Sequence, residues 1–82
     1  MRDIKKDDLK SELAKKIKEL RDKKEWTQEE LASKLNYKDK QAVNRYEIQG
    51  ANPTAYNLYL ICKAFDISFN ELFDFLKDYP EG

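Results

Sequence analysis

Four polar side chains lie close together between residues 40 and 49, and hydrogen bonding is the chemistry that they could perform. Wound as an α-helix at about 100° per residue, this segment divides into a polar side and an apolar side. The polar side consists of Lys40, Gln41, Asn44 and Arg45. Arg and Lys donate to guanine O6 and N7, whereas Gln and Asn pair with adenine N6 and N7. The segment could therefore read bases, although a solvated helix face would have the same composition.

The apolar side of this segment needs other elements to cover it, and the chain offers four further helical segments. Ala42, Val43 and Tyr46 form that apolar side. Helix 1 is predicted from about Leu9 to Lys24, because apolar residues recur there at the spacing of one helix face. Asp8 is placed to be its N-cap.

Helix 2 has a clearly marked start. Thr27 and Glu30 have the spacing of a capping box, in which each side chain accepts a hydrogen bond from the other residue's backbone amide. The helix is therefore predicted to begin at Gln28. Its end is predicted near Leu35, because Asn36 tolerates the left-handed backbone angles at which helices stop.

Helices 3 and 4 are separated by residues that break helices. Asp39 is placed to cap helix 3, which is predicted from Lys40 to Gln49. Gly50 and Pro53 then interrupt the chain, and Thr54 can cap helix 4. The predicted buried stripe of helix 4 consists of Leu58, Ile61, Cys62 and Phe65.

Helix 5 is predicted from about residue 69 to 79, with Ser68 and Glu71 as a second capping box. Its large apolar side chains point in directions too far apart for one buried side, so we expect one phenylalanine to stay exposed. An exposed aromatic beside an apolar stripe is typical of an interaction surface, and a two-fold homodimer is the commonest arrangement. The expected interface residues are Phe73, Phe75 and Leu76.

Composition narrows the class of protein. A chain of 82 residues with two glycines and two prolines predicts one all-helical domain over residues 1 to 82. One cysteine and no histidine argue against an internal disulfide, a zinc site and the usual acid–base or nucleophilic pairs of enzymes. We therefore expect no enzyme activity, no catalytic residue, no metal, no cofactor and no small-molecule substrate. No apolar run is long enough to span a membrane, which favours a cytoplasmic protein without a membrane partner.

Charge is distributed unevenly although the net charge is zero. Residues 1 to 50 carry 14 Lys and Arg against 11 Asp and Glu, a balance of +3. The remaining residues carry 2 against 5, a balance of −3. A basic part and an acidic part are therefore predicted to share one small fold.

These features together resemble the Cro and phage-repressor family of helix-turn-helix domains over residues 13 to 73. The strings that carry the resemblance are Ile17 to Arg21, Trp26 to Ala32, Glu47, Asn52 to Thr54, Leu58 to Phe65 and Ile67 to Leu72. The most specific of them is Thr-Gln-Glu-Glu-Leu-Ala directly after a helix that ends in Leu-Arg. Two departures stand out: the segment from Leu35 to Val43 is one residue longer than in the family, and the loop from 48 to 51 lacks basic residues.

The resemblance implies a five-helix, lambda-repressor-like fold that binds double-stranded DNA with helix 3 in the major groove. The residues expected at DNA, some from this resemblance and some from their chemistry, are Gln28, Lys38, Lys40, Gln41, Asn44 and Arg45. Gln28 and Lys38 are assigned to the phosphate backbone, and the others to the polar side of helix 3. The resemblance also implies an internal salt bridge between Arg21 and Glu47, whose opposite charges lie on helices that must pack together.

Three function classes therefore stay open, and the third, a small enzyme, is the least favoured because the chain has no histidine. The first is a sequence-specific transcriptional regulator, a repressor that binds a palindromic operator as a dimer. The second is a protein-interaction module that keeps the fold but has weak or no DNA binding, which the zero net charge permits.

Overall fold

The computed structural model describes residues 4–37 and 39–78, and all regular secondary structure in those two ranges is helical. Its elements are α1 (Lys6–Lys23), α2 (Gln28–Lys34), α3 (Gln41–Gln49), α4 (Ala55–Phe65), α5 (Phe69–Leu72) and a 3₁₀ helix (Asp74–Asp78). The predicted all-α architecture with five α-helices is confirmed.

One hydrophobic core joins all five α-helices. Each helix contributes at least one side chain that is completely or almost completely buried: Ile17, Leu31, Val43, Ile61 and Leu72. Burying an aliphatic side chain of this size contributes about 1.5 to 3 kcal/mol to folding. Among the residues that the structure describes, no charged or polar residue is buried as a whole, although the side chain of Glu47 is only 5% exposed. Because α3 packs against both α1 and α2, the core holds the predicted base-reading helix from its apolar side.

Several helix boundaries follow the predicted caps. Thr27 and Glu30 form the full capping box: Thr27 Oγ1 accepts from the Glu30 amide at 3.1 Å, and Glu30 Oε1 accepts from the Thr27 amide at 3.0 Å. Thr54 Oγ1 caps α4 by accepting from the Asn57 amide at 3.2 Å. Asn36 adopts a φ of 60°, as its position after α2 predicted.

The predicted start of helix 1 is wrong. The helix begins at Lys6 rather than Leu9, and its N-cap Lys5 makes no side-chain cap. Asp7 and Asp8 lie inside the first turn, where carboxylates interact favourably with the positive end of the helix dipole. Asp8 is therefore compatible with the first turn of α1, although it is not the N-cap residue.

Helix 3 begins one residue later than predicted, at Gln41, with Lys40 as its N-cap residue. The expected cap is nevertheless present in a shifted form, because Asp39 Oδ1 accepts a hydrogen bond from the Gln41 amide at 2.9 Å. This bond satisfies one of the amides that the first turn of a helix leaves without an intrahelical partner.

The prediction of one continuous helix from 69 to 79 is wrong for the residues described. The α-helix ends at Leu72, because Phe73 has φ −105° and ψ 23°, and a 3₁₀ helix follows. The break lets Phe73 and Phe75 both pack against the core, with ring centroids 5.9 Å apart, so neither is the fully exposed phenylalanine that we expected. The second capping box is also incomplete: Ser68 Oγ accepts from the Glu71 amide, without the reciprocal bond of Glu30. Tyr79 lies outside the described residues.

The loop after α3 is fixed against α1. Gly50 has a φ of 98°, and a Cβ atom there would lie 3.1 Å from the Cβ of Lys10. The next residue, Ala51, donates its amide to the Lys10 carbonyl at 2.9 Å. Glycine is required here both by the backbone angle and by the close approach of α1.

No helix in the described ranges is long and apolar enough to cross a membrane.

Candidate nucleic-acid interface

The exposed side of α3 carries most of the residues predicted to contact DNA. Lys40, Gln41 and Arg45 are exposed, and Asn44 is half-buried. On the opposite side Val43 is fully buried. The helix therefore presents hydrogen-bonding groups outward while its apolar side is anchored in the core.

A bidentate ion pair between Arg21 and Glu47 connects α1 to α3. Arg21 Nε and Glu47 Oε2 are 2.7 Å apart, and Arg21 Nη2 donates to Glu47 Oε1 at 3.1 Å. Both side chains are shielded, with 12% of Arg21 and 5% of Glu47 exposed. A third bond runs from Arg21 Nη1 to the Trp26 carbonyl at 2.7 Å. The bond to Glu47 raises the pKa of Arg21 above its ordinary value. The pair thus fixes α1 and the start of α2 relative to α3.

Gln28 extends this network to the exposed surface. Its Nε2 donates to Glu47 Oε1 at 2.9 Å and to Asn44 Oδ1 at 3.3 Å. A primary amide has two N–H donors, so both are directed at protein atoms in this conformation. To bind a phosphate through this amide, Gln28 must give up one of these bonds, and the longer bond to Asn44 is the weaker of the two.

A helix-turn-helix family profile matches residues 17–72, which include α2, the connection to α3, and α3 itself. The chain belongs to the Cro/C1-type helix-turn-helix family. This confirms the resemblance noted from the sequence. The protein is a DNA-binding transcription regulator.

Solved structures of similar helix-turn-helix proteins agree with this assignment. The wild-type restriction-modification controller protein C.Esp1396I is 34% identical and superposes with a TM-score of 0.72, covering 85% of this chain and 90% of that one. A hypothetical transcription factor, NHTF from Neisseria, is 28% identical with a TM-score of 0.70, covering 84% of this chain and 78% of that one. No curated protein sequence matches the chain.

Within the helix-turn-helix, a pair of tyrosines fastens the turn to α3. The hydroxyl groups of Tyr37 and Tyr46 are 2.7 Å apart, and their rings meet edge to face at 6.1 Å. The Tyr37 amide also donates to the Ala32 carbonyl at 2.9 Å. Burial, together with the bond to Tyr46, raises the pKa of Tyr37. Sequence reasoning missed this contact, which joins Tyr37, after α2, to Tyr46 of α3. Lys38 lies outside the described residues.

Sequence reasoning also missed an apolar residue on the outer side of the helix-turn-helix. Ile48 is 73% exposed and is the most exposed large hydrophobic residue in the described ranges. It follows Gln41 by seven residues, so the helical period places both on the same side of α3. The spacing of the sequence alone is therefore enough to place Ile48 on that side.

The residues expected at a dimer interface lie near the end of the described chain. Phe73, Phe75 and Leu76 are all half-buried. Phe69 is the exposed phenylalanine of this region, with 51% of its surface accessible. It lies one helical turn before Phe73, whose amide donates to the Phe69 carbonyl at 3.0 Å. Phe69 therefore lies one turn before Phe73, whose ring neighbours that of Phe75 at a centroid distance of 5.9 Å.

Proposed function

We propose that the protein is a sequence-specific transcriptional repressor that binds a palindromic operator as a homodimer in the cytoplasm. The observation that carries the proposal is the division of α3 into a buried apolar side and an exposed side with Lys40, Gln41 and Arg45. A recognition helix needs that division, because one side must be held rigidly while the other donates to base edges.

Each residue predicted to contact DNA has a defined part in the proposed complex. Arg45 donates to guanine O6 and N7, and Gln41 pairs with adenine, because these are the geometries that their planar donor groups fit. Lys40, at the start of α3, faces the major groove and donates to guanine. Lys38 neutralises a phosphate, which contributes affinity without sequence information. Gln28 keeps its bond to Glu47 and turns its other N–H from Asn44 to a phosphate.

Asn44 changes partners in the same step. In the free protein its Oδ1 accepts from Gln28 at 3.3 Å. Pairing with adenine uses the Oδ1 and Nδ2 of an asparagine together. When Gln28 turns this N–H to a DNA phosphate, the Oδ1 of Asn44 therefore becomes available to pair with a base.

The dimer is proposed to form through Phe73, Phe75 and Leu76, with Phe69 beside them. The 51% exposure of Phe69 supports an apolar contact in this region. The acidic balance of the second half of the chain keeps such an interface away from DNA, while the more basic first half includes the recognition helix. A two-fold axis would then place two recognition helices on half-sites about 34 Å apart.

Similarity to a restriction-modification controller, at 34% identity over 85% of this chain, favours that class of regulator. In this proposal the operator lies upstream of restriction-modification genes.

Selection of bound duplexes from a randomised pool, followed by a mobility shift with the protein's own upstream region, tests the proposal. The expected result is a palindromic consensus that also occurs upstream and that competes with random DNA. Absence of binding to any duplex at low salt would overturn the proposal, and would favour instead a protein-interaction module on the same fold.

A further inference from the structure

Two tyrosines lie exposed beside each other on α4, a helix that contains no carboxylate. Tyr56 is 64% exposed and Tyr59 is 51% exposed, and their ring centroids are 6.2 Å apart. Although the chain has 16 Asp and Glu, none of them is in α4, whose only charged residue is Lys63. Lys63 follows Tyr59 by four residues, and side chains at this spacing are neighbours on a helix. The exposed aromatic pair therefore borders a positive charge.

Beyond Lys63, a cleft of about 360 Å³ lies between α4 and the end of α2. Two lysines make its lining basic, and two aliphatic side chains make it partly apolar. The lining residues are Lys34, Asn36, Leu60, Lys63 and Ala64. No carboxylate belongs to this lining, whereas Asp7 and Glu47 both line the cleft between α1 and α3. The cleft at α4 therefore favours a negatively charged ligand.

The two lysines of this cleft have donors available for such a ligand. In the described part of the chain neither forms an ion pair with a carboxylate, and the lysines that do are Lys15, Lys16, Lys18 and Lys23. The ammonium group of Lys34 lies over the Trp26 ring instead, 4.6 Å from the ring centroid. An ammonium group has three N–H donors, so contact with an aromatic face leaves donors for a carboxylate.

This part of the surface is separate from the residues proposed to contact DNA. Lys34 is the last residue of α2, whereas Gln28, which is proposed to bind a phosphate, is the first. At about 1.5 Å per residue, these positions are about 9 Å apart along the helix. The proposed base contacts all lie on α3. A ligand at α4 therefore occupies none of the proposed DNA contacts.

The chemistry of the surface selects the kind of ligand. Tyrosine is enriched in protein–protein interfaces, because its ring is apolar and its hydroxyl group forms hydrogen bonds. The backbone of a DNA duplex offers phosphates to the lysines but no apolar side chain to the tyrosines. We propose that an acidic, amphipathic segment of another protein binds here, on an α4 surface that consists of Tyr56, Tyr59, Lys63 and Lys34. This inference goes beyond DNA binding and does not depend on it.

A labelled synthetic peptide of glutamate, alanine and leucine is the probe, and the same peptide with glutamine for glutamate is its control. Binding to the full chain is followed by the anisotropy of the label and by the emission of Trp26, the only tryptophan. The glutamate peptide is expected to bind about tenfold more tightly than the glutamine peptide, because charge complementarity selects it. Its binding should also shift the Trp26 emission, since Lys34 lies over that ring.

Substitutions test whether the peptide binds at the α4 surface. Lys34→Gln combined with Lys63→Gln is expected to weaken binding of the glutamate peptide about tenfold, because two exposed ion pairs are lost. Tyr59→Ala should weaken binding of both peptides. The matched control, Lys5→Gln combined with Lys6→Gln, removes the same charge from the start of α1 and should bind like the wild type. All of these side chains are exposed, so each variant should keep the wild-type melting temperature.

Four results would overturn the inference. The two peptides could bind equally, or the two double variants could bind the glutamate peptide equally. Lys34→Gln combined with Lys63→Gln could lose binding to the operator, which would assign the surface to DNA. Tyr59→Ala could change the sedimentation of the free protein, which would assign the surface to a second copy of the chain. Because peptide binding is measured without DNA, failure of the proposed function, in which no duplex is bound, leaves the peptide result unchanged.

Discussion

Arg21 and Glu47 connect the first and third helices through a single pair of charges, separated by 26 positions in the chain. The guanidinium group satisfies both carboxylate oxygens and the Trp26 carbonyl, which offsets the cost of withdrawing it from water. Since Gln28 binds the same carboxylate, loss of Glu47 would remove partners from both residues.

Glu47→Gln is expected to lower the free energy of unfolding by about 3 kcal/mol, because it leaves the shielded Arg21 charge without its partner. For a domain of this size the melting temperature should fall by more than about 10 °C. Glu19→Gln is the matched control, since Glu19 pairs with Lys23 on the exposed surface of α1. Exposed pairs contribute at most about 1 kcal/mol. Equal losses in the two variants, measured by urea unfolding, would contradict the structural role of Glu47.

The raised pKa of Tyr37 predicts that the folded protein becomes less stable at alkaline pH. Its pKa is raised in the folded protein by burial and by the bond to Tyr46, so the folded state holds the proton more tightly than the unfolded chain does. The resulting stabilisation is complete below the ordinary tyrosine pKa of about 10 and is lost progressively as the pH rises above it. Between pH 9 and 11 the melting temperature of Tyr37→Phe should therefore fall less than that of the wild type. Tyr59→Phe, at an exposed position, should follow the wild type. Parallel curves for all three proteins would refute the prediction.

Sequence reasoning at the residue scale succeeded where chemistry is local and missed contacts that depend on the fold. The exposed positions of Lys40, Gln41 and Arg45 follow from the helical period alone. The bonds of Gln28 to Asn44 and of Tyr37 to Tyr46 join different segments, and no spacing rule encodes them.

At the scale of elements, the caps decided how well each helix could be predicted. Thr27 and Thr54 fix the starts of α2 and α4 through bonds within three residues, so the sequence contains the whole signal. The end of α5 has no comparable signal, because the break at Phe73 allows two phenylalanines to reach the core together. Such a break depends on tertiary packing, which helical periodicity does not include.

The difference between the two predicted capping boxes is itself testable. Glu30 accepts a hydrogen bond from the Thr27 amide, whereas the structure gives Glu71 no such bond to Ser68. Both glutamates lie in the first turn of a helix, so their interaction with the helix dipole is similar. Glu30→Ala should therefore lower the free energy of unfolding by about 0.5 to 1 kcal/mol more than Glu71→Ala does. Equal effects in urea unfolding would indicate that the bond to Thr27 contributes nothing.

For the whole molecule, the proposed dimer interface lies in the acidic second half of the chain, whereas the recognition helix lies in the more basic first half. Sedimentation at micromolar concentration should give a dimer for the wild type and a monomer for Phe69→Asp and Leu76→Asp, because a carboxylate would be buried in an apolar contact. Tyr59→Asp, on α4, should remain a dimer. A monomeric wild type would end the dimer proposal, whereas dissociation of Tyr59→Asp alone would assign the interface to α4.

The exposed side of α3 is proposed to read the DNA sequence, and Arg45→Ala removes the side chain that is proposed to contact guanine. Binding to the selected operator and to a scrambled duplex is titrated for the wild type, for Arg45→Ala and for Lys63→Ala, which removes an exposed positive charge from α4. Arg45→Ala should lose about 1 to 3 kcal/mol of binding free energy on the operator and almost none on the scrambled duplex. Lys63→Ala should match the wild type on both. An equal loss on operator and scrambled DNA for Arg45→Ala would contradict the account, because Arg45 would then contact only phosphate.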